Sequence, residues 1–189
     1  MKWILASESP RRRELLAQLG ICFECLAPAI DEQLDLNDID ASLRELAQQK
    51  ALTARRSFSE GISIGSDTTV VLNGQCLGKP RDHADAMQML RSLSGSTHVV
   101  KTAVALLDLK TNVRLVGLEE TAVSFRLLDA GEIERYLNES QPFDKAGAYG
   151  IQEHGGLFVK NISGCYTNII GFPVPLFLEL KQAMEVTLA

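Results

Sequence analysis

The chain has 189 residues and a formal net charge of −5, and its composition is 46% hydrophobic and 23% charged. These values are ordinary for a soluble globular protein, and the length suffices for a sizeable core in one domain or two small lobes. The negative charge argues against general binding to nucleic acid. Apolar stretches are too short for a membrane span or a signal peptide. We therefore expect a cytoplasmic protein that binds neither nucleic acid nor membranes.

Helical and strand-like patterns alternate along the chain and predict a mixed α/β fold. Predicted strands lie at 2–7, 22–27, 62–72, 75–77, 97–108, 113–126 and 157–162. Predicted helices lie at 10–19, 41–57, 83–93 and 130–138, and a last helix begins at about Pro173. The Asn73-Gly74 pair is a strong hairpin signal, and the middle hairpins are candidates for a second lobe.

The first predicted helix begins with an unusual run of cations, Ser9-Pro10-Arg11-Arg12-Arg13. Ser9 suits the N-cap and Pro10 the first helical position. A helix N-terminus carries partial positive charge, so arginines there are unfavourable by roughly 0.3–1 kcal/mol each. An anion bound by the free backbone N–H groups and the guanidinium groups would explain them, and phosphate is the obvious candidate. Successive residues point about 100° apart, so the three arginines cannot all face one phosphate group.

Two acidic positions are candidates for catalysis or metal binding. Asp67 lies inside a strand-favouring run, where aspartate is rare and a buried carboxylate needs a partner. It is either a turn or bulge residue that caps nearby amides, or a general base or metal ligand. Asp31-Glu32 reads as a solvated loop, but Glu32 and Asp67 together would supply the carboxylates of a Mg²⁺ site that also uses substrate phosphate.

Two lysines and a glycine-rich loop are further candidates for ligand contacts. Lys50 sits near the end of a predicted helix, where a cation needs no special function, whereas Lys79 is fixed in direction by Gly78 and Pro80. The chain contains no P-loop sequence, which argues against a Walker-type NTPase. The loop 144–152 ends at Gln152, whose amide can both donate to and accept from the edge of a nucleobase.

The four cysteines include one Cys-x-x-Cys, at Cys22 and Cys25. A redox or zinc role is conceivable, but a strand would place the two thiols on opposite faces. No second Cys/His pair with metal spacing follows, so ordinary free thiols are the favoured interpretation.

Several motifs in this order resemble the Maf family of nucleotide pyrophosphatases, which is related to the inosine-triphosphate pyrophosphatase fold. The motifs are 6–12 (Ala-Ser-Glu-Ser-Pro-Arg-Arg), Asp31-Glu32, 49–51 (Gln-Lys-Ala), 65–68 (Gly-Ser-Asp-Thr), 78–80 (Gly-Lys-Pro), 93–95 (Leu-Ser-Gly), 144–152 and 171–173 (Gly-Phe-Pro). Arg11, Thr68 and the 145–152 loop resemble the branch that hydrolyses dTTP and UTP. Three positions depart from the family pattern: Glu153 stands where glycine is usual, Ser66 where alanine is common, and Phe172 where leucine is common.

The resemblance implies a twisted mixed sheet with flanking helices and two lobes around a central cleft, within a single Maf-like domain (1–189). It implies hydrolysis of a nucleoside triphosphate to the monophosphate and pyrophosphate, with Mg²⁺ or Mn²⁺, in a homodimer. Asp67 would be the proton acceptor and would hold the metal with Glu32. The implied triphosphate ligands are Ser9, Arg11, Arg12, Lys50 and Lys79, and the implied base-selecting residues are Arg12, Thr68 and Gln152.

Two other function classes remain open from the sequence. One is a nucleotide-binding regulator of cell division with little catalysis, which pyrophosphate release from a nucleotide panel would distinguish. The other is a structural α/β protein whose arginines form only surface ion pairs, although such pairs would not explain cations at a helix N-terminus.

Overall fold

The computed structural model describes residues 2–188. The strands are β1 (Trp3–Ala6), β2 (Phe23–Leu26), β3 (Ile62–Leu72), β4 (Gln75–Leu77), β5 (Thr97–Asp108), β6 (Arg114–Phe125) and β7 (Val159–Ser163). The helices are α1 (Pro10–Gln18), α2 (Ile39–Leu52), α3 (His83–Leu93), α4 (Ala130–Ser140), α5 (Tyr166–Ile170) and α6 (Val174–Thr187). Short 3₁₀ turns cover Thr53–Arg56, Ala146–Ala148 and His154–Phe158.

Four of the helices begin at a side chain that caps their free amides. In each, the cap oxygen accepts a hydrogen bond from the backbone N–H three residues further on. The capping residues are Ser9, Asp38, Asp82 and Asp129. Local sequence thus fixes where these helices start, including α1 with its arginines.

The seven strands form one sheet in the order β2-β1-β3-β5-β6-β7, with β4 paired to β3. β1 runs parallel to both β2 and the first part of β3, and it pairs Ala6 with Gly65. β4 returns antiparallel to the end of β3, and β7 is antiparallel to β6. The fold class is therefore mixed α/β with flanking helices, as the sequence predicts.

The chain divides into two compact units. The first contains Met1–Asp67, Thr102–Glu119 and Gly171–Ala189, and the second contains Thr68–Lys101 and Glu120–Ile170. In the first unit, Ile4 packs with buried residues of α2 and β5 such as Leu43, Ala47 and Ala105. In the second, β3, α3, α4 and β6 contribute to a core that includes Leu90, Phe125 and Tyr136.

The Asn73-Gly74 turn is confirmed, with positive φ values of 51° and 78° at its two residues. Such φ values match the primed turn that joins right-twisted antiparallel strands. The predicted helix over 83–93 and the strand over 97–108 are confirmed residue for residue.

The bounds of two predicted elements were wrong, and one short helix was not predicted. The helix predicted over 41–57 starts at Ile39 and gives way after Leu52 to a 3₁₀ turn, a common tightening at a helix end. The strand predicted over 157–162 begins only at Val159, because 154–158 forms a 3₁₀ turn. α5 has only five residues between Gly164 and Gly171, too short for a periodic pattern to reveal. None of the described helices is long and apolar enough to cross a membrane.

Candidate functional site

The first turn of α1 has the geometry expected from its sequence. Ser9 Oγ accepts a hydrogen bond from the backbone N–H of Arg12 at 3.4 Å, and Ser7 Oγ accepts one from Ser9 N–H at 3.2 Å. No acidic residue lies in this turn. Arg13 is exposed and donates to the carbonyl of Glu8 at 3.0 Å, as expected of a surface residue. The first turn of α1 thus carries three arginines and no carboxylate.

Arg12 is buried and ties three segments of the first unit together. Its Nε donates to the carbonyl oxygen of Gly171 at 2.8 Å. Its Nη1 donates to the carbonyl oxygen of Ser66 at 2.8 Å and to Ser7 Oγ at 3.3 Å. Since Ser66 precedes Asp67 on β3, these bonds fix the start of α1 next to the position of that carboxylate.

Burial lowers the pKa of the Arg12 guanidinium, because a low-dielectric environment disfavours its charge. The carboxylates of Asp67 and Glu32 oppose this effect, and the positive charge of Arg11 adds to it. The pKa of Arg12 therefore depends on both candidate metal-binding carboxylates and on a neighbouring cation.

Asp67, Lys50 and Glu32 are brought together by the fold. Lys50 Nζ lies 2.5 Å from Asp67 Oδ1 and 2.8 Å from Glu32 Oε1. The side chains of Lys50 and Asp67 are 6% and 11% exposed, whereas that of Glu32 is 45% exposed. β3 continues for five residues past Asp67, so the interpretation of Asp67 as a turn residue was wrong. Its carboxylate is instead buried and charge-paired.

Gly65 allows this pairing, because α2 lies directly against β3 at this residue. A Cβ at position 65 would lie only 2.0 Å from the carbonyl oxygen of Ala47 and 2.6 Å from the backbone nitrogen of Ala51. Lys50 lies between those two α2 residues in sequence, and Asp67 follows Gly65 by two residues on β3. A side chain here would push α2 away and separate the ammonium from the carboxylate.

The other predicted substrate-binding residues lie in the second unit. Lys79 is exposed beside the buried Pro80, and Thr68 is partly buried on β3. Gln152 is exposed at the end of the glycine-rich loop. That loop is anchored near Lys79, since Gly147 N–H donates to the carbonyl of Gly78 at 3.0 Å. Gly147 has a φ of 70°, and its missing Cβ would meet Val70 at 3.1 Å.

A buried lysine in this loop was not singled out from the sequence. Lys145 Nζ lies 2.8 Å from Asp144 Oδ1 and 3.3 Å from Glu153 Oε1, and its side chain is only 9% exposed. The available signal was a lysine directly beside an aspartate in a segment of small residues. The close packing of Gly65 against α2 likewise has no signal in the local sequence.

Glu32 and Asp67 are the carboxylates that could hold a divalent cation together with substrate phosphate. Both carboxylates touch the same ammonium atom, so their oxygens lie close together. Within residues 2–188, no group of three or more His, Cys, Asp and Glu side chains could hold a metal ion alone. Mg²⁺ commonly uses one or two carboxylates plus substrate phosphate oxygens, and two carboxylates meet that requirement. The four cysteines are free thiols, and Cys22 and Cys25 are exposed.

Comparisons with known proteins match nearly the whole chain. The family model described as "Maf-like protein" matches residues 2–184. A dTTP/UTP pyrophosphatase from Carboxydothermus hydrogenoformans is 45% identical over 184 residues, which cover 96% of this chain and 98% of that protein. One from Shewanella denitrificans is 49% identical over 193 residues, with coverage of 97% and 96%.

Among solved structures, the chain is similar to a nucleoside-triphosphatase (dITP/XTP pyrophosphatase) from Mycobacterium abscessus. The TM-score is 0.43 at 18% sequence identity, over 66% of this chain and 74% of that one.

Proposed function

Because this chain belongs to the Maf-like protein family, we propose that it is a nucleoside triphosphate pyrophosphatase that acts on dTTP and UTP. The reaction is hydrolysis to the nucleoside monophosphate and pyrophosphate, and its role is maintenance of the nucleotide pool. Names of relatives at 45% and 49% identity over nearly the full chain support this substrate class.

One observation in the structure carries the proposal. The guanidinium of Arg12 joins the cationic first turn of α1 to the backbone of Ser66, the residue before Asp67. The turn to which we assign phosphate binding and the buried carboxylate of Asp67 are thereby linked within the first unit. Hydrolysis of a triphosphate requires both, since the anion must be bound and a water must be deprotonated.

In the proposed reaction, Asp67 accepts a proton from a water molecule as that water attacks the α-phosphorus. A bond forms between the water oxygen and the α-phosphorus. The bond from that phosphorus to the oxygen bridging to the β-phosphorus breaks, and pyrophosphate leaves with the electron pair. Lys50 keeps the carboxylate of Asp67 in place, since Nζ and Oδ1 are 2.5 Å apart.

The triphosphate carries about four negative charges that must be offset by cations. We assign this role to Arg11, Arg12 and Lys50 of the first unit, and we assign to the neutral hydroxyl of Ser9 a hydrogen bond to the triphosphate. A Mg²⁺ or Mn²⁺ ion held by Glu32 and Asp67 would supply further positive charge when bound. In addition, Arg12 has a structural role, because it holds Gly171 and Ser66 through hydrogen bonds.

The proposal also includes residues of the second unit. Lys79 is assigned to the triphosphate, and Thr68 and Gln152 to selection of the base, with a contribution from Arg12. A homodimer and a cytoplasmic location stay predictions from the family resemblance and from composition.

The central test is pyrophosphate release from dTTP, UTP, dCTP, CTP, dGTP and dATP with Mg²⁺ or Mn²⁺. We expect the highest kcat/KM with dTTP and UTP. Asp67→Asn should lower kcat by at least about 10²-fold, a typical contribution of a general base. Its nucleotide binding, measured by thermal shift in the presence of dTTP, should persist.

The matched control is Asp31→Asn, because Asp31 is exposed and, among the described residues, its side chain accepts a hydrogen bond only from Gln33. Near-normal release by Asp67→Asn would rule out Asp67 as the base. No release by the wild-type protein from any nucleotide, with binding retained, would favour the nucleotide-binding regulator instead.

A further inference from the structure

The loop that ends at Gln152 contains an ammonium group that is almost removed from solvent. Lys145 is only 9% exposed in its side chain, and a buried charge of this kind requires partners. It has one at each end of the loop, Asp144 at 2.8 Å and Glu153 at 3.3 Å. The Lys145 side chain therefore closes the loop as an internal ionic bridge.

Backbone contacts keep the lysine in this position. A Cβ at position 150 would lie 2.8 Å from Lys145 Cε and 3.0 Å from Cδ, so Gly150 leaves the space that the alkyl chain occupies. Gly150 N–H donates to the hydroxyl of Tyr136 at 3.1 Å, and Glu153 N–H donates to the carbonyl of Gly150 at 3.2 Å. Gln152 lies in the turn between Gly150 and Glu153.

Gln152 itself is exposed, and no hydrogen bond of its side chain is found within residues 2–188. Its orientation therefore depends on its neighbours. On one side the turn is fixed by Gly150, and on the other by the contact of Glu153 with Lys145. Without the second contact, the end of the turn would be held by backbone hydrogen bonds alone.

We propose that the Lys145–Glu153 ion pair positions Gln152 for selection of the pyrimidine base. This inference rests on the proposed function, which assigns Gln152 to the base. Glu153 is a positioning residue, because it acts through Gln152. Pre-ordering the turn removes an entropic cost that substrate binding would otherwise pay, so the ion pair lowers KM for the preferred nucleotides.

The test is Glu153→Gln, which keeps the shape of the side chain and removes its charge. Glu153 is exposed, so the variant is expected to fold, and thermal unfolding verifies this. We expect KM for dTTP and UTP to rise about three- to tenfold, the range of ordering one or two side chains, with kcat within about twofold. The preference for dTTP over dCTP should fall by a similar factor.

The matched control is Glu139→Gln on α4, an exposed glutamate with no ion pair within residues 2–188. It should leave KM and selectivity unchanged. A merely structural role of Glu153 would lower the melting temperature without changing the ratio of kcat/KM for dTTP and dCTP, and that result would overturn the inference.

A different result is expected if Lys145 binds substrate phosphate directly. Removing the competing charge of Glu153 would then lower KM for every nucleotide alike and strengthen inhibition by inorganic tripolyphosphate. That outcome would also overturn the inference. The proposed function itself is tested in the same assay by pyrophosphate release from the wild-type protein. That result is independent of the result for Glu153→Gln.

Discussion

Ser66 and Asp67 are neighbours on β3 and both are buried, but their polar side chains differ in whether they have a partner among the described residues. The carboxylate of Asp67 is paired with Lys50. Among the described residues, no hydrogen-bond partner is found for the hydroxyl of Ser66, which is 0% exposed. A buried hydroxyl without a partner costs free energy, because it has lost its hydrogen bonds to water. The backbone carbonyl of Ser66 accepts a hydrogen bond from Arg12.

Ser66→Ala should therefore raise the free energy of unfolding by about 1 kcal/mol, at the low end of the cost of an unsatisfied buried group. The bond from Arg12 to the carbonyl is retained, so pyrophosphatase activity should be unchanged. Urea unfolding of both proteins measures the difference, with the exposed Ser59→Ala as the control. A loss of stability would mean that the hydroxyl has a partner after all.

At the scale of elements, the packing of α2 on β3 decides the geometry of Lys50 and Asp67. α2 approaches the strand so closely that only glycine fits at position 65. Helix and strand therefore act as one rigid support, and the lysine has little freedom to adjust. The ion pair of Lys50 and Asp67 thus depends on Gly65, which lets α2 approach β3.

Gly65→Ala should destabilise the protein by about 1–3 kcal/mol, the usual cost of overpacking a core. It should also lower kcat at least tenfold at temperatures where the variant remains folded, because Lys50 no longer reaches Asp67. Circular dichroism melts and pyrophosphate release at 15 °C separate the two effects. The control for stability is Gly78→Ala, since a Cβ at that exposed glycine meets nothing within 4 Å. Full activity of folded Gly65→Ala would show that the close packing is unnecessary.

The stability of the molecule as a whole should depend on the protonation of His98. This residue is 1% exposed, its Nε2 is 2.9 Å from the hydroxyl of Tyr149, and burial lowers its pKa to about 4. The unfolded chain binds the same proton with a pKa near 6.5. Between these values the unfolded state holds more protons, so stability falls as pH drops from about 6.5 to about 4.

This single group should contribute up to about 1.4 kcal/mol per pH unit within that window. Urea unfolding at pH 7, 6 and 5 measures the total pH dependence. His98→Gln should be less stable at pH 7 but should show a shallower decline, by close to one proton, and the exposed His154→Gln is the control for replacing a histidine. Equal slopes for wild type and His98→Gln would contradict the assignment.

Much of the fold follows from local signals in the sequence. Capping residues such as Ser9, the Asn73-Gly74 turn and the helical period over 83–93 each act over a few residues. Boundaries fail where an irregular backbone contact decides, as at 154–158. There, the 3₁₀ turn brings Gly156 so close to Ile151 that a Cβ would lie 2.5 Å from its carbonyl oxygen, an approach that glycine permits.

The candidate site was predictable as a set of residues but not as an arrangement. The sequence favours an anion at the start of α1 and a partner for Asp67. It does not indicate that the partner is Lys50, or that Arg12 is buried among carbonyl oxygens. These contacts join residues far apart in the chain, so no local period or spacing encodes them. For the same reason, the sequence does not indicate the ion pairs of Lys145 with Asp144 and Glu153.

The hydrogen bond from Arg12 to Gly171 links residues 159 positions apart, and both belong to the first unit. That unit also includes 102–119, so it is assembled from three separate stretches of the chain. During synthesis on the ribosome, the second unit emerges in full before Gly171 does. We therefore expect the second unit to gain protection from proteases first, because the acceptor of the Arg12 hydrogen bond is translated only after that unit.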